Sequence, residues 1–429
     1  MARPRKNVVK NQNSLLTSDN VVEIPVEEQP YPLPEGWKWV RLGDALHLQA
    51  GKNISARNIH SEKTVEFPYP CFGGNGIRGY VSEYNREGYF PLIGRQGALC
   101  GNIKFVTGKF YATEHAVVVS NKLHFEKTWV SYCLQDMNLN QYATATAQPG
   151  LAVSTLNQLP FPYPPIDEQQ RIVDCIESLF AKLDEAREKA ESVLDGFESR
   201  KAAILHKAFT GELTAKWREE HGVGTESWKY VKLSDVSKLQ TGIMKGKKYI
   251  KPTQMMPYLR VANVQEGYFD LNEIKEIEIP IDDIYRYLLK KGDVLFTEGG
   301  DFDKLGRGAV WNEEIYPCTH QNHIFAVRTD IKRLVPKFLS LQARSTYGKK
   351  YFLQCSKQTT NLASINSTQL KNFPLILPSL PEQQEIVRIL DILLEKERQV
   401  KEAAEDVLER IDLMKKAILA KAFRGELTR

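Results

Sequence analysis

The amino-acid sequence carries one long segment twice. Glu168-Gln169-Gln170 recurs 214 residues later as Glu382-Gln383-Gln384. Residues 203–214 recur with the same offset as residues 417–428, and both copies carry Ala-Ile-Leu, Lys-Ala-Phe and Gly-Glu-Leu-Thr in order. Because both ends of the segment keep one offset, the two copies have equal length. The chain must therefore fold as two related halves that differ mainly in the stretches between the copies.

The repeated segments show the apolar spacing of long helices. The steps alternate between four and three residues, as in Ile172, Ile176, Leu179 and Leu183 and again in Ile386, Leu390 and Leu393. This period of about 3.5 residues predicts a coiled-coil seam, which Arg200, Lys207 and Glu397 interrupt. Prolines precede both segments and suit a first helical turn. Gly211 and Gly425 follow and suit a left-handed cap.

Two helices of equal length in one chain can bury their narrow seams against each other. Each helix of about 42 residues would be roughly 60 Å long. An antiparallel pair would place the two intervening domains at opposite ends of a rod and relate them by an approximate two-fold axis. The alternative is two ordinary helices in two duplicated domains. The equal lengths and the repeated terminal motifs favour the paired rod.

The intervening stretches are diverged copies of each other. Residues 37–44 and 228–235 both begin with a tryptophan strand, residues 88–97 resemble 292–300, and residues 114–119 resemble 322–327. Short apolar runs split by Gly and Asn predict mixed, mostly antiparallel α+β domains, with short helices near 127–137 and 336–347. The expected fold class is α+β, with two mixed domains separated by two long antiparallel coiled-coil helices in a pseudo-two-fold repeat. We divide the chain into a flexible tail (1–30), a first domain (31–165), a first spacer helix (166–214), a linker (215–226), a second domain (227–377) and a second spacer helix (378–429).

Positive charge is concentrated in the two variable domains. The whole chain has a formal net charge of +5, but residues 31–165 carry +3 and residues 227–377 carry +8, whereas the spacer segments carry −4 and −1. This division favours domains that face a polyanion and helices that do not. The six scattered cysteines are typical of reduced thiols, and the chain contains no apolar run long enough to cross a membrane. We expect a cytoplasmic protein.

The motifs that would carry catalysis are weak. Residues 74–79 fit GxGxxG but lead into a strand pattern, and residues 242–248 lack the spacing and the Ser or Thr of a phosphate loop. Cys318, His320 and His323 lack a fourth metal ligand nearby, so we interpret the histidines as structural. Asp301 and Asp303 would suit a nuclease, but the first domain has no equivalent. We expect no catalytic residue, no metal and no cofactor in this chain.

The loops of both domains are rich in side chains that read the edges of DNA bases. Arg and Lys pair with guanine, Asn and Gln pair with adenine, and Glu accepts from cytosine. The lysines near 245–251 are better suited to contact phosphates. The candidate DNA-binding residues are Lys52, Asn53, Arg57, Asn75, Arg78, Arg95, Gln96, Lys245, Lys247, Lys248, Arg260, Asn263, Glu298, Lys304 and Arg307.

The chain resembles the specificity subunits of type I restriction–modification systems from about residue 33 to residue 429. The resemblance rests on residues 165–173 and 380–387, on 208–213 and 422–427, on the opening 33–37 and on the block 261–264. It implies two target-recognition domains, each of which reads one half of a bipartite asymmetric site in double-stranded DNA. It also implies that the helices fix the gap and dock two methylation (M) subunits, and that restriction (R) subunits join the full complex. S-adenosylmethionine, ATP and Mg²⁺ would belong to those partners, and no membrane is involved.

Two other functions remain open from the residues alone. The chain could be a self-sufficient nuclease that uses Asp301 and Asp303, or a DNA-binding scaffold without enzyme partners. Cleavage of DNA by the purified chain with Mg²⁺ would identify the nuclease. Co-purification with methylation subunits would distinguish the specificity subunit from the scaffold.

Overall fold

The computed structural model describes residues 9–10, 21–97, 99–144, 149–246, 249–300, 305–358 and 363–427. The chain divides into two compact units. Unit 1 comprises residues 1–190 and 406–429, and unit 2 comprises residues 191–405. Each unit therefore combines one variable domain with parts of both spacer segments.

Unit 1 is built on a mainly antiparallel sheet in the strand order β3-β8-β6-β7-β4-β5. The β4–β7 pair is parallel, and β2 and β9 form a separate antiparallel ribbon. The strands are β1 Val9–Lys10, β2 Lys38–Arg41, β3 Leu46–Ala50, β4 Tyr69–Gly73, β5 Gly76–Val81, β6 Arg86–Gly94, β7 Ile103–Ala112, β8 Ala116–Asn121 and β9 Pro160–Tyr163. The helices that begin in this unit are α1 Leu42–Ala45, α2 Lys127–Asp136, α3 Val153–Asn157 and α4 Ile166–Asp195.

Unit 2 repeats this plan with smaller sheets. The order β11-β18-β14-β16 matches β3-β8-β6-β7, the parallel pair β12–β17 matches β4–β7, and the ribbon β10–β21 matches β2–β9. The strands are β10 Lys229–Lys232, β11 Ser237–Thr241, β12 Thr253–Leu259, β13 Lys275–Pro280, β14 Val294–Thr297, β15 Gly299–Gly300, β16 Gly308–Val310, β17 Thr319–His320, β18 Ile324–Thr329, β19 Lys357–Gln358, β20 Ala363–Ser364 and β21 Pro374–Leu377. The helices are α5 Phe197–Phe209, α6 Ala215–Glu220, α7 Ile284–Tyr287, α8 Pro336–Arg344, α9 Thr346–Cys355, α10 Ser367–Lys371 and α11 Leu380–Phe423.

The spacer helices pair in opposite directions, as the sequence predicts. In unit 1, Asp184 and Arg187 of α4 form ion pairs with Lys415 and Asp412 of α11, respectively. Residue numbers thus rise along one helix as they fall along the other. In unit 2, α5 and α11 show the same direction, because Arg200 binds Glu397 at 2.8 Å and Lys401 lies over the ring of Phe197. Arg200 and Glu397, which the sequence presents as interruptions of the seam, are partners of each other.

The first spacer segment is not one continuous helix, and this corrects the expectation from its periodicity. α4 ends at Asp195, and α5 begins at Phe197 after Gly196. Arg200 donates from Nη2 to the carbonyl of Val193 at 3.0 Å, and a Cβ on residue 196 would lie 2.5 Å from the Arg200 guanidinium. Glycine therefore makes room for the arginine at this junction. α11 has no such break and runs for 44 residues.

The repeated Glu-Gln pair fastens each spacer helix to its own domain. In unit 1, the indole of Trp37 donates to Glu168 at 3.0 Å, and Gln169 accepts from the backbone N–H of Glu126, the residue that caps α2. In unit 2, the indole of Trp228 donates to Glu382 at 2.9 Å, and Gln383 accepts from the N–H that caps α8. The repeated motif is therefore an attachment between a helix and a domain, and its side chains are occupied by the protein itself.

The ends of the spacers complete the two cores. Phe423 packs edge-on against Trp129 of α2 with ring centroids 4.9 Å apart, and Phe209 packs in the same way against Phe338 of α8 at 5.5 Å. Phe338 and Phe423 have at most 1% of their surface exposed. Burial of each aromatic ring removes a large apolar area from water, so the repeated Ala-Phe motif contributes directly to the stability of each unit.

Two expected connecting segments have more structure than the sequence indicates. Residues 21–30 were expected to belong to a flexible tail, but Ile24 is buried and its N–H donates to the carbonyl of Trp39 at 3.0 Å. The linker 215–226 contains α6, and its Arg218 is buried beside Glu382, with 2.8 Å between Nη1 and Oε1. Both segments are parts of the folded units.

Candidate nucleic-acid interface

In unit 1, the candidate residues of the first domain lie on loops at the strand ends of the main sheet, except Arg78, which lies in β5. A Cβ on Gly51, which follows β3, would lie 2.2 Å from the carbonyl oxygen of Ala112 at the end of β7. A Cβ on Gly74 would lie 3.2 Å from the carbonyl oxygen of Gln96 and 3.5 Å from the nitrogen of Arg95. The loop after β3, the β4–β5 turn and the loop after β6 therefore form one surface around the β7–β8 turn.

The side chains on this surface are free to meet a ligand. Arg95 is half-buried, and the other candidates of the first domain are exposed, namely Lys52, Asn53, Arg57, Asn75, Arg78 and Gln96. Backbone hydrogen bonds hold the loops: the N–H of Lys52 donates to Ala112, and the carbonyl of Asn53 accepts from the Tyr111 hydroxyl. Arg78 packs its stem over Gly73 at the end of β4. Exposed cations and amides on fixed loops are suited to contacts with phosphates and base edges.

Unit 2 builds the matching surface from the equivalent loops. A Cβ on Gly242, which follows β11, would lie 2.2 Å from the carbonyl oxygen of His320 at the end of β17. This close approach matches that of Gly51 in unit 1, and only glycine allows it at either position. Lys245 is exposed in the turn that follows. The N–H of Asn322 donates to the carbonyl of Ile243, and the N–H of Glu298 donates to the carbonyl of His323, so the segments that carry Lys245 and Glu298 both adjoin the β17–β18 turn.

Three candidates of the second domain are engaged by the protein. Asn263 is 3% exposed, and its amide donates to the carbonyls of Asp270 and Glu273 while its oxygen accepts from the N–H of Arg260. Arg260 forms an ion pair with Glu273 at 2.9 Å. Arg307 donates to the side chain of Gln265 at 3.1 Å and is half-buried. Asn263 therefore holds its loop in shape, and its polar atoms are not available to read a base.

Three further candidates, Lys247, Lys248 and Lys304, lie outside the described residues, as do Asp301 and Asp303. Within the described part of the chain, no group of three or more His, Cys, Asp or Glu side chains is arranged to hold a metal ion. Among the helices of that part, none is both long enough and apolar enough to span a membrane.

The histidines that the sequence singles out have different environments. His320 is fully buried, and burial lowers the pKa of its imidazole to about 4, so it is neutral at pH 7. His323 is exposed and contacts Glu298 through Nδ1. His115 occupies the matching place in unit 1 and pairs with Glu114 at 3.2 Å. His115 is half-buried, and both His115 and His323 lie beside candidate residues of the interface, because their carbonyls accept from the N–H groups of Arg95 and Glu298, respectively.

Comparison with known proteins identifies the family. Residues 34–193 and 225–410 match the type I restriction modification DNA specificity domain. The chain belongs to this family. It carries two copies of the specificity domain, and each match covers one variable domain together with part of a spacer.

Individual relatives support this assignment over parts of the chain. The chain is 54% identical over 128 residues to the type I restriction enzyme EcoprrI specificity subunit of Escherichia coli, and this match covers 30% of this chain and 32% of that protein. It is 28% identical over 281 residues to the EcoKI specificity subunit of Escherichia coli K12, and this match covers 62% of this chain and 57% of that protein. These matches span about a third and somewhat over half of those relatives. The crystal structure of the HsdS subunit from Thermoanaerobacter tengcongensis shares the fold, with a TM-score of 0.58, 19% identity and coverage of 94% of this chain and 100% of that one.

Proposed function

We propose that this chain is the sequence-specific DNA-binding subunit of a type I restriction–modification complex and does not itself catalyse a reaction. Each domain reads one half of a bipartite, asymmetric DNA site. The observation that carries the proposal is the duplicated interface: two units present the same loops from the same strand ends, but with different side chains. Recognition of two different half-sites requires two DNA-binding surfaces of similar shape that carry different side chains.

The distribution of charge supports DNA as the ligand of both domains. Positive charge lies in the two domains, and the candidate interface exposes Lys52, Arg57, Arg78 and Lys245. Contacts between such cations and phosphates release counterions, so binding should weaken steeply as salt concentration rises. The base-reading groups on the same loops would add sequence preference to this attraction.

We assign the spacer helices to two roles, setting the gap between half-sites and docking two methylation subunits. α11 exposes large apolar side chains in both units, Ile392 and Val400 in unit 2 and Val407 and Met414 in unit 1, each at least 39% exposed. An apolar patch that is exposed on an otherwise charged helix suits contact with a protein partner. S-adenosylmethionine, ATP and Mg²⁺ would be bound by the methylation and restriction subunits.

The proposal is tested with methylation of a randomised DNA library. The chain is purified in complex with methylation subunits, and methylated DNA molecules are sequenced. We expect a two-part motif with a fixed gap, and binding that falls by orders of magnitude between 50 and 200 mM salt, typically about 10³-fold or more for six phosphate contacts. A complex without this chain is the control. A single uninterrupted motif, or methylation of equal specificity without the chain, would contradict the proposal.

A second experiment separates the spacer role from the reading role. Four residues are inserted into α4 and four into α11, at positions 214 residues apart, which adds about 6 Å to each helix. The gap should lengthen by about two base pairs at roughly 3.4 Å each, while both half-sites stay the same. A changed half-site with an unchanged gap would refute the spacer role.

A further inference from the structure

One position of the interface is duplicated down to its hydrogen bonds. In unit 1, the N–H of Arg95 donates to the carbonyl of His115 at 2.9 Å, and the carbonyl of Arg95 accepts from the N–H of Leu151 at 2.9 Å. In unit 2, the N–H of Glu298 donates to the carbonyl of His323 at 2.9 Å, and its carbonyl accepts from the N–H of Ile365 at 2.7 Å. Leu151 and Ile365 are themselves 214 residues apart.

The residues that follow keep the same pairing. Gln96 forms an antiparallel bridge with Gly150, and Gly299 forms the equivalent pair with Ser364. Arg95 and Glu298 therefore hold one structural position, directly after the central strand of each main sheet. Both neighbours of that position are fixed by backbone hydrogen bonds, which is the support that a specific contact to a ligand needs.

The two side chains at this position carry opposite charges. Arg95 is half-buried, and its guanidinium has no hydrogen-bond partner among the residues that the structure describes. Glu298 contacts His323 through Oε2, while Oε1 has no partner within the described residues. Glu298 and His323 line a cavity of about 360 Å³ together with Val261, Gly299 and Ser364. In each unit a charged group is thus held at the surface with hydrogen-bonding capacity to spare.

We infer that Arg95 and Glu298 are specificity-determining residues, one for each half-site. Arg95 would donate to the O6 and N7 atoms of a guanine, and Glu298 would accept from the N4 amino group of a cytosine. His323 orients the Glu298 carboxylate by occupying one of its oxygens. The inference rests on the proposed function, because it names the bases that the two domains distinguish.

The test uses the complex with methylation subunits and the same randomised library, with variants Arg95→Gln and Glu298→Gln. Glutamine reads adenine, so Arg95→Gln should shift one position of one half-site from guanine to adenine. Glu298→Gln should shift one position of the other half-site from cytosine to adenine. Each shift should change the ratio between the two bases roughly 5-fold to 150-fold, the range for one good base contact. The exposed residues Lys38 and Glu276 provide the matched controls Lys38→Ala and Glu276→Gln, which should leave both half-sites intact.

The outcomes separate this inference from the proposed function. If the unaltered complex yields a two-part motif and both variants keep every base of it, the inference is wrong and the proposed function stands. If the unaltered complex yields no two-part motif, the proposed function itself fails. The half-site of the unchanged domain reports whether each variant still folds and assembles. Should Glu298→Gln not assemble, Glu298→Arg decides the case, because it should move the same position towards guanine.

Discussion

Replacing Arg218 with alanine is expected to destabilise unit 2 strongly. Arg218 and Glu382 form an ion pair at 2.8 Å in which the two side chains are only 9% and 1% exposed. Without the arginine, the Glu382 carboxylate stays buried and loses its cation. Removal of one partner from a buried ion pair costs about 3–5 kcal/mol.

The remaining contacts of Glu382 set where in this range the loss should fall. The hydroxyl of Thr214 donates to Oε1 and the indole of Trp228 donates to Oε2, both at 2.9 Å. These donors stay in place in the Arg218→Ala variant, so we expect a value near the lower end, about 3 kcal/mol. A unit of roughly 200 residues loses about 2–4 °C of Tm per kcal/mol, so its transition should fall by about 6–12 °C.

Differential scanning calorimetry of the purified chain measures this shift, and Trp228 fluorescence follows the same site. The matched control is Arg187→Ala, which removes an ion pair with Asp412 whose side chains are 28% and 64% exposed. Exposed pairs contribute about 0–1 kcal/mol, so the control should change Tm by no more than a few degrees. If Arg218→Ala lowers Tm no further than Arg187→Ala, the reasoning from burial is refuted.

Three other changes test the cores and the buried titratable groups. Phe423→Ala should cost unit 1 about 3–5 kcal/mol, because the ring packs on Trp129; calorimetry should show a lower transition for that unit, and an unchanged profile would contradict the packing. Burial raises the pKa of Asp136 to about 6, so the stability that the protonated carboxyl contributes to the folded state is present below about pH 4 and is lost as pH rises through 6. Asp136→Asn should therefore raise the stability of the chain against guanidinium at pH 7 and change it little at pH 4. Burial lowers the pKa of His320 to about 4, so the free energy of unfolding falls as pH drops from about 6.5 towards 4. His320→Phe should make the free energy of unfolding depend less on pH in this range. The same pH dependence in the variant and the unaltered chain would refute this prediction.

The paired helices could be predicted because their signal is local and periodic. A repeated spacing of apolar residues specifies one buried face, and equal lengths in one chain supply a partner for it. The junction at Gly196 could not be predicted in the same way. It depends on Arg200, which reaches back to the carbonyl of Val193 and across to Glu397, and such long-range partners leave no trace in the period.

The candidate interface could be predicted only as a set of loops. Arg95, Gln96 and Asn75 lie on one surface because the strand ends bring their loops together, and the sequence supplied only the residue types. Asn263 has the same type but serves as an internal brace, since its amide is satisfied by backbone carbonyls. Composition cannot distinguish an amide that faces solvent from one that closes a turn. The equivalence of Arg95 and Glu298 needed the backbone hydrogen bonds, because their side chains are unlike.

The contact between the Trp37 indole and Glu168 has a practical consequence for engineering. It joins the first strand of a domain to the start of the helix that leaves the same domain. A domain transplanted as residues 37–168 would bring both Trp37 and Glu168 and would keep this hydrogen bond. A crossover between the two residues would take Trp37 from one parent protein and Glu168 from the other, so the bond would form only if both parents have compatible residues there.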